Sequence, residues 1–173
     1  MQEQILSEGQ WSENISWQFI ASPEIPDRNV CTGICCVTTF RNKLVLVRNR
    51  RGWEFPGGNI ELEMEESIED AVIRESAEEA CAIITNPTFF GFKRLASLQP
   101  VPRPNNSDLF YPFPISYIAF FYADVIQFLN NSPQKDIDEV KIVDYLQAKK
   151  LLKDRGQYKN VLEYLIEQRA IKL

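Results

Sequence analysis

The sequence predicts a mixed α/β domain, with strands before and after one central helix. Three observations support this prediction: apolar runs typical of strands, one acidic helix in the middle of the chain, and two later stretches with helical spacing. The chain has 173 residues, of which 45% are hydrophobic and 25% charged, as in ordinary globular proteins. We therefore expect a single domain over residues 1–173, with residues 1–28 as an N-terminal extension.

The predicted strands are short apolar runs bounded by polar or turn residues. ISWQFIAS, residues 15–22, is consistent with one strand added by the extension. NVCTGICCVTTF and KLVLVRNR, residues 29–40 and 43–50, predict two strands joined by a tight turn. Further strands are predicted at residues 88–98, 115–128 and 140–143, and the Pro- and Asn-rich segment 99–114 predicts a long surface loop.

The predicted helices are one central helix and two near the end of the chain. Ser67 begins the central helix, with Asp70 three residues later in the position of a capping box, and the helix should end near Ala80. Residues 145–154 and 158–171 carry apolar side chains at helical spacing.

Charge and cysteine usage exclude several classes of protein. The net charge of −5 disfavours non-specific binding to nucleic acid, and no apolar run reaches the length of a membrane helix. The polar N-terminus does not resemble a signal peptide, and four cysteines without any histidine suggest buried free thiols rather than a zinc site. We therefore expect a cytoplasmic protein; the sequence leaves a homodimer open.

The acidic helix places carboxylates against its apolar side. At ~100° per residue, Ile68, Val72 and Ile83 cluster together. Glu79 falls among them, Glu75 beside them and Glu78 at the margin. Burying charges of one sign is costly unless something cationic compensates, and a hard divalent cation such as Mg²⁺ is suited to carboxylate oxygens.

A Pro-Gly-Gly turn precedes this helix, and together they resemble the signature of a known family. Gly57 and Gly58 allow the backbone to approach a ligand closely. The motif WEFPGG, followed by Glu, seven residues and Arg-Glu-x-x-Glu-Glu, resembles the Nudix box of the Nudix hydrolases. The residues that match the box are Glu66, Arg74, Glu75, Glu78 and Glu79.

The box departs from the family pattern at three places. Seven residues rather than five separate Gly58 from Glu66, Cys81 stands where the family has a closing glycine, and Ser76 takes a usually apolar place. None of these changes removes a charged residue of the motif.

The resemblance, which covers roughly residues 29–170, implies a fold, a reaction and a metal. The implied fold is an α/β/α sandwich with a mixed sheet. The implied reaction is metal-dependent hydrolysis of a diphosphate bond in a nucleotide or nucleoside diphosphate derivative, a small-molecule substrate, with Mg²⁺ or Mn²⁺ as cofactor. The alternative is a Nudix-fold module that binds nucleotides or regulates, with little or no turnover.

The resemblance also implies roles for individual residues. Glu75, Glu78 and Glu79 would bind the metal with help from the Gly57 carbonyl. Arg74 would orient these glutamates, and Glu66 would support either the loop or that arginine.

The water-activating base of this family often comes from a later acidic residue. Asp136, Asp138 and Glu139 are the candidates, and we favour Glu139 over Asp136. If none of these serves, Glu66 and the acidic residues of the longer loop, Glu63 and Glu65, remain.

Substrate contacts are expected from three regions. Arg48 and Arg50 alternate on one strand and could meet phosphates, and Trp53 could stack on a base, although packing in the core fits it better. The residues of the loop 99–114 that would read the rest of the substrate are Arg103, Asn105 and Tyr111.

Overall fold

The computed structural model describes residues 3–61, 65–103, 106–153 and 156–173. Within these residues the strands are Gln4–Ser12 (β1), Ile15–Ala21 (β2), Cys31–Phe40 (β3), Lys43–Asn49 (β4), Gly52–Glu54 (β5), Ala82–Ser97 (β6), Pro102–Arg103 (β7), Asn106–Phe110 (β8), Ile115–Phe128 (β9) and Glu139–Val143 (β10). The helices are Ile68–Ala80 (α1), Tyr145–Leu151 (α2) and Gly156–Glu167 (α3).

Eight of these strands form one mixed sheet. Its order is β1-β2-β6-β9-β3-β4-β10, and β5 pairs with β4. Strands β3 and β9 pair in parallel, whereas the other strand pairs of this sheet, within the described residues, are antiparallel. This mixed sheet with helices confirms the predicted α+β class.

Helices cover both faces of the sheet because the central strands are apolar on both sides. Val37 and Leu46 point into a core shared with α2 and α3, whereas Cys36 and Val45 point into a core shared with α1. Such double burial is typical of strands that read as continuous apolar runs. The α/β/α arrangement implied by the resemblance is therefore confirmed.

Several elements differ from the predicted boundaries. The extension contributes two strands, β1 and β2, and the first is mostly polar because it lies at an exposed edge of the sheet. The short hairpin β7–β8 lies inside the segment 99–114 that was predicted to be a loop. Strand β6 begins at Ala82 rather than near residue 88, so Ile83 belongs to a strand and is 36% exposed instead of joining the apolar side of the helix.

The two ends of α1 have identifiable caps. Ser67 accepts a hydrogen bond from the Asp70 N–H at 3.0 Å, and its hydroxyl donates to the Asp70 carboxylate at 2.7 Å. Cys81 ends the helix in the left-handed conformation, with φ 52° and ψ 34°. The cysteine therefore adopts the conformation that the family's closing glycine favours, at a cost of about 1 kcal/mol.

All four cysteines are free and buried, as predicted from their spacing. Cys31, Cys35 and Cys36 lie in β3, the strand that contributes to both cores. Burial raises the pKa of the Cys31 thiol to about 11 and that of the Cys36 thiol to about 12, and it also raises the pKa of Cys35. These thiols therefore stay protonated.

None of the helices in the described ranges has the length and apolar character that a bilayer crossing requires.

Replacing the cap of α1 provides a test of this local structure. We expect Ser67→Ala to lower the free energy of unfolding by about 1 kcal/mol, because the N–H of Asp70 loses its partner. The midpoint of urea unfolding measures the change. Ser132→Ala, at an exposed position outside the helices and strands, is the matched control, and equal midpoints for the two variants would contradict the assigned cap.

Candidate active site

The Pro-Gly-Gly turn runs alongside β3. Strands β3 and β4 pair only near their connecting turn, so the edge of β3 is open further along. Residues 56–60 fill this place. Three backbone hydrogen bonds hold them there: Cys36 N–H to the Pro56 carbonyl at 2.8 Å, Ile34 N–H to the Gly58 carbonyl at 2.9 Å, and Ile60 N–H to the Thr32 carbonyl at 3.1 Å.

This approach is so close that position 57 requires glycine. A Cβ atom at Gly57 would overlap the Ile34 carbonyl oxygen and would come within 2.8 Å of the Cys35 Cα. A Cβ atom at Gly58 would overlap the Glu75 carboxylate. The two glycines therefore allow the turn to lie between the sheet and the acidic face of α1.

Glu79 and Glu75 are both buried against this turn. The Gly57 N–H donates to the Glu79 carboxylate at 2.8 Å, and the two side chains belong to residues only 5% and 6% exposed. Burial raises the pKa of Glu79 to about 8, and the Gly57 N–H opposes this shift. Nearby negative charges also raise it; the residues that carry them are Glu75, Glu54 and Asp136. Burial likewise raises the pKa of Glu75.

Arg74 connects the other carboxylates of the motif. Its Nε donates to Glu66 at 2.7 Å, and its Nη1 donates to Glu75 and Glu78, both at 2.9 Å. Its Nη2 donates to Glu66 at 3.1 Å and to the Asn59 carbonyl at 3.0 Å. These bonds raise the pKa of Arg74 and lower that of Glu66, so both groups are held ionised.

The three glutamates retain oxygen atoms that fit a hard cation. Arg74 uses one oxygen each of Glu75 and Glu78, and the Gly57 N–H uses one of Glu79. Among the described residues, no protein donor reaches Glu75 Oε2 or Glu79 Oε1, and none reaches the Gly57 carbonyl. The same residues contain no preassembled group of three metal-ligating side chains. The oxygen donors suit Mg²⁺ or Mn²⁺, but the side chains would have to turn towards a common point.

The loop after β9 brings a further carboxylate to this site. Gln134 donates to the Glu78 backbone carbonyl at 2.9 Å and to its carboxylate at 2.6 Å, which fixes the loop against α1. Asp136 follows on this loop, close enough to Glu79 for its charge to raise the pKa of Glu79.

The other two candidates for the base have ion-pair partners elsewhere. Glu139 lies 3.4 Å from Arg48 and 3.0 Å from Lys141, and Asp138 lies 4.0 Å from Arg48. Of the three candidates, Asp136 is the one whose charge contributes to the raised pKa of Glu79, whereas Asp138 and Glu139 pair with Arg48, and the identity of the base stays a prediction. Glu63 and Asn105, two further candidates from the sequence, lie outside the described residues.

None of the four residues predicted to bind substrate lines the cavity beside the Gly57-Gly58 turn. The Cζ atom of Arg48 lies 5.7 Å from the centroid of the half-buried Trp53 ring. The Nζ atom of Lys141 lies 4.8 Å from the same centroid. Arg50 is exposed in the turn between β4 and β5. The Cζ atom of Arg103 lies 5.7 Å from the centroid of the Tyr111 ring. Of this pair, only Tyr111 lines the cavity beside the Gly57-Gly58 turn. Their contact with substrate stays a prediction.

A cavity of about 290 Å³ adjoins the Gly57-Gly58 turn. Among the described residues, the charged ones in its lining are Arg51, Glu54 and Lys93, none of which was predicted from the sequence. Arg51 donates to the buried Glu54 carboxylate at 2.7 Å. The adjacency of Arg51 and Glu54 to the glycine turn could have suggested them, whereas nothing in the local sequence distinguishes Lys93.

The raised pKa of Glu79 predicts how stability depends on pH. In metal-free protein we expect the free energy of unfolding to fall as the pH rises from about 4.5, the ordinary value, to about 8. The folded protein holds a proton in this range that the unfolded chain has released, so stability present at the lower limit is lost by the upper limit. Urea unfolding in a chelator, at several pH values within the window, measures the change.

Two variants isolate the contribution of Glu79. Glu79→Gln should weaken the pH dependence, because it removes one of the two buried carboxyl groups with a raised pKa and leaves Glu75. Glu69→Gln, at an exposed position on the same helix, should keep the wild-type profile. A profile unchanged by Glu79→Gln would refute the assignment.

The fold and the sequence can be compared with known proteins. A mutant of the Bacillus subtilis pyrophosphohydrolase BsRppH is 18% identical with a TM-score of 0.58, and the match covers 79% of this chain and 76% of that one. A C. elegans Ap4A hydrolase in a binary complex is 13% identical, with a TM-score of 0.53 and coverage of 80% and 99%. The NUDIX domain of Shewanella oneidensis NrtR, complexed with ADP ribose, is 17% identical, with a TM-score of 0.52 and coverage of 78% and 88%.

These identities show a shared fold alone, and no curated protein matches the chain. The family model of the NUDIX domain matches residues 27–165. This match includes the glycine turn, the whole of α1 and the loop that carries Asp136. Because it spans most of the 173 residues, the chain belongs to the Nudix family.

Proposed function

We propose that this protein is a metal-dependent hydrolase that cleaves a diphosphate bond in a nucleotide or nucleoside diphosphate derivative. The observation that carries the proposal is the group of buried carboxylates packed against the glycine turn. Glu75 lies over Gly58, and Glu79 accepts the Gly57 N–H. Burying such charges is costly, and a cation between them would offset the cost. The proposal takes residues 1–173 as one Nudix domain.

The metal would be held by Glu75, Glu78 and Glu79, assisted by the Gly57 carbonyl. Bound there, Mg²⁺ or Mn²⁺ supplies positive charge to the diphosphate oxygens and lowers the pKa of a coordinated water. Arg74 orients two of the glutamates through its hydrogen bonds and is itself held by Glu66.

The remaining residues have roles in proton transfer and substrate binding. The Asp136 carboxylate would accept the proton of the attacking water, whose oxygen bonds to phosphorus as the bridging P–O bond breaks. Arg51, braced by Glu54, would place a positive charge in the cavity beside the turn. The products are two phosphate-bearing fragments, and the displaced oxygen takes up a proton.

The proposal places the enzyme in the cytoplasm. Four free, buried thiols are typical of proteins from a reducing compartment. The net charge of −5 also favours a small nucleotide, presented with its metal, over a nucleic acid.

One observation favours a second candidate function, nucleotide binding with little or no turnover. Arg74 occupies oxygens of both Glu75 and Glu78, so these side chains must turn before a metal can be held by all three glutamates. A screen of nucleoside diphosphate derivatives with Mg²⁺, reading release of phosphate or nucleoside monophosphate, separates the two candidates. Tight binding without release would favour the second.

The first prediction from this proposal concerns the metal and Glu79. We expect a chelator to abolish hydrolysis, and Mg²⁺ to raise the melting temperature of the protein, because the metal binds the folded state alone.

Glu79→Gln should lower kcat by at least about 100-fold, the magnitude of a lost electrostatic contact in an active site. Glu69→Gln is the control. Equal losses in both variants would mean that the acidic helix is only a charged surface.

A second prediction concerns the base. We expect Asp136→Asn to lower kcat by about 100-fold or more while KM and metal affinity stay close to wild type. Glu139→Gln and Asp138→Asn should have small effects, because their carboxylates pair with Arg48. A strong loss of kcat in Glu139→Gln alone would restore Glu139 as the base. Normal kcat in all three variants would mean that none of them is the base, and Glu65 and Glu66 would be the next candidates.

A further inference from the structure

Trp11 lies in a β-bulge near the end of β1. Gln10 pairs with Ser16 and Ser12 pairs with Ile15, so two steps along β1 match one step along β2. Trp11 is the extra residue. Bulges of this kind redirect a side chain, and they are common next to active sites.

The redirected ring lies against a buried lysine of β6, the strand beyond β2 in the sheet. Lys93 Nζ lies 5.2 Å from the ring centroids of both Trp11 and Trp17, within the range of a cation–π contact. Lys93 is only 3% exposed, whereas Trp11 remains 52% exposed. One side of the Trp11 ring is therefore held by the protein, and the rest of the ring is available for contact.

Trp11 and Ile15 line the same cavity as Gly57 and Gly58. The wall also includes Tyr111 and Pro112, which follow the β7–β8 hairpin. An aromatic ring thus stands in one cavity with the glycine turn, where the proposed function places the diphosphate. Its volume of about 290 Å³ is close to the lower end for small-molecule sites.

The hairpin that carries Trp11 lies outside the residues that match the family. The match begins at residue 27, whereas β1 and β2 end at Ser12 and Ala21. Strand β2 pairs with β6 from Ile15↔Ser97 to Ala21↔Gly91, so the hairpin is part of the sheet. This addition can therefore hold a side chain in a defined position relative to the site.

We propose that Trp11 makes the site prefer substrates that carry a nucleobase, by stacking on that base, with Lys93 as the residue that positions its ring. This inference rests on the proposed function and names the group that the cavity recognises. A nucleobase fits because it presents a flat aromatic face, and every base can stack on an indole ring. The phosphates extend from the base towards Arg51 and the glycine turn.

The test measures binding of nucleoside monophosphates against ribose 5-phosphate, which has the same sugar and phosphate but no base. Titration calorimetry uses the full chain with Mg²⁺ and, in separate experiments, AMP, GMP and UMP. We expect at least one nucleotide to bind at least about 5-fold more tightly than ribose 5-phosphate, the lower end of the effect of base stacking. Trp11→Leu should remove this preference, and Trp11→Tyr should restore most of it.

Ile5→Ala is the control variant, since Ile5 is a similarly exposed apolar residue of the same strand and is absent from the cavity wall. It should keep the wild-type preference. Equal affinity of the wild type for nucleotides and ribose 5-phosphate, no detectable nucleotide binding, or an unchanged preference in Trp11→Leu would each overturn the inference. Because binding is read without turnover, a nucleotide preference in a chain that hydrolyses nothing would sustain the stacking role and count only against the hydrolase.

Discussion

The active-site region depends on the approach of the Gly57 backbone to β3, a contact with no room for a Cβ atom. Three backbone hydrogen bonds hold the turn in this place, and the turn in turn fixes where the Gly57 N–H points. Glu79 accepts that N–H, and Glu75 lies over Gly58. The register of α1 relative to the sheet is therefore specified by polar contacts as well as by its apolar side chains.

The four buried or half-buried glutamates around this turn do not have equal numbers of positively charged or hydrogen-bonding partners. One guanidinium, that of Arg74, serves Glu66, Glu75 and Glu78, while Glu79 has only a backbone N–H as hydrogen-bond partner among the described residues. The high pKa of Glu79 follows from this inequality and from burial. Without metal, the site is most stable when it holds a proton. The affinity for a divalent cation should accordingly rise with pH, because the cation must displace that proton.

Local pattern was sufficient to predict the elements whose contacts are local. The cap at Ser67, the end of α1 and the apolar side formed by Ile68 and Val72 all follow from spacing along a helix. Strand β1 was missed because it is a polar edge strand, and no local alternation of apolar residues marks it. Lys93 reaches the cavity only through the pairing of β6 with β2, a contact between distant parts of the chain that spacing cannot reveal. The same limit applies to Asp136 and Glu139, whose surroundings depend on how the loop before β10 packs against α1 and β4.

The three thiols of β3 have a consequence for how the folded state opens. Alkylating reagents attack the thiolate, and burial both hides these sulfur atoms and keeps them protonated. Cys35 and Cys36 point to opposite faces of the sheet, so each reports on a different core. The rate at which each thiol is alkylated therefore measures how often the core around that thiol becomes exposed to solvent. Equal rates would indicate that the two layers open in one cooperative event, and unequal rates that one helical layer detaches first.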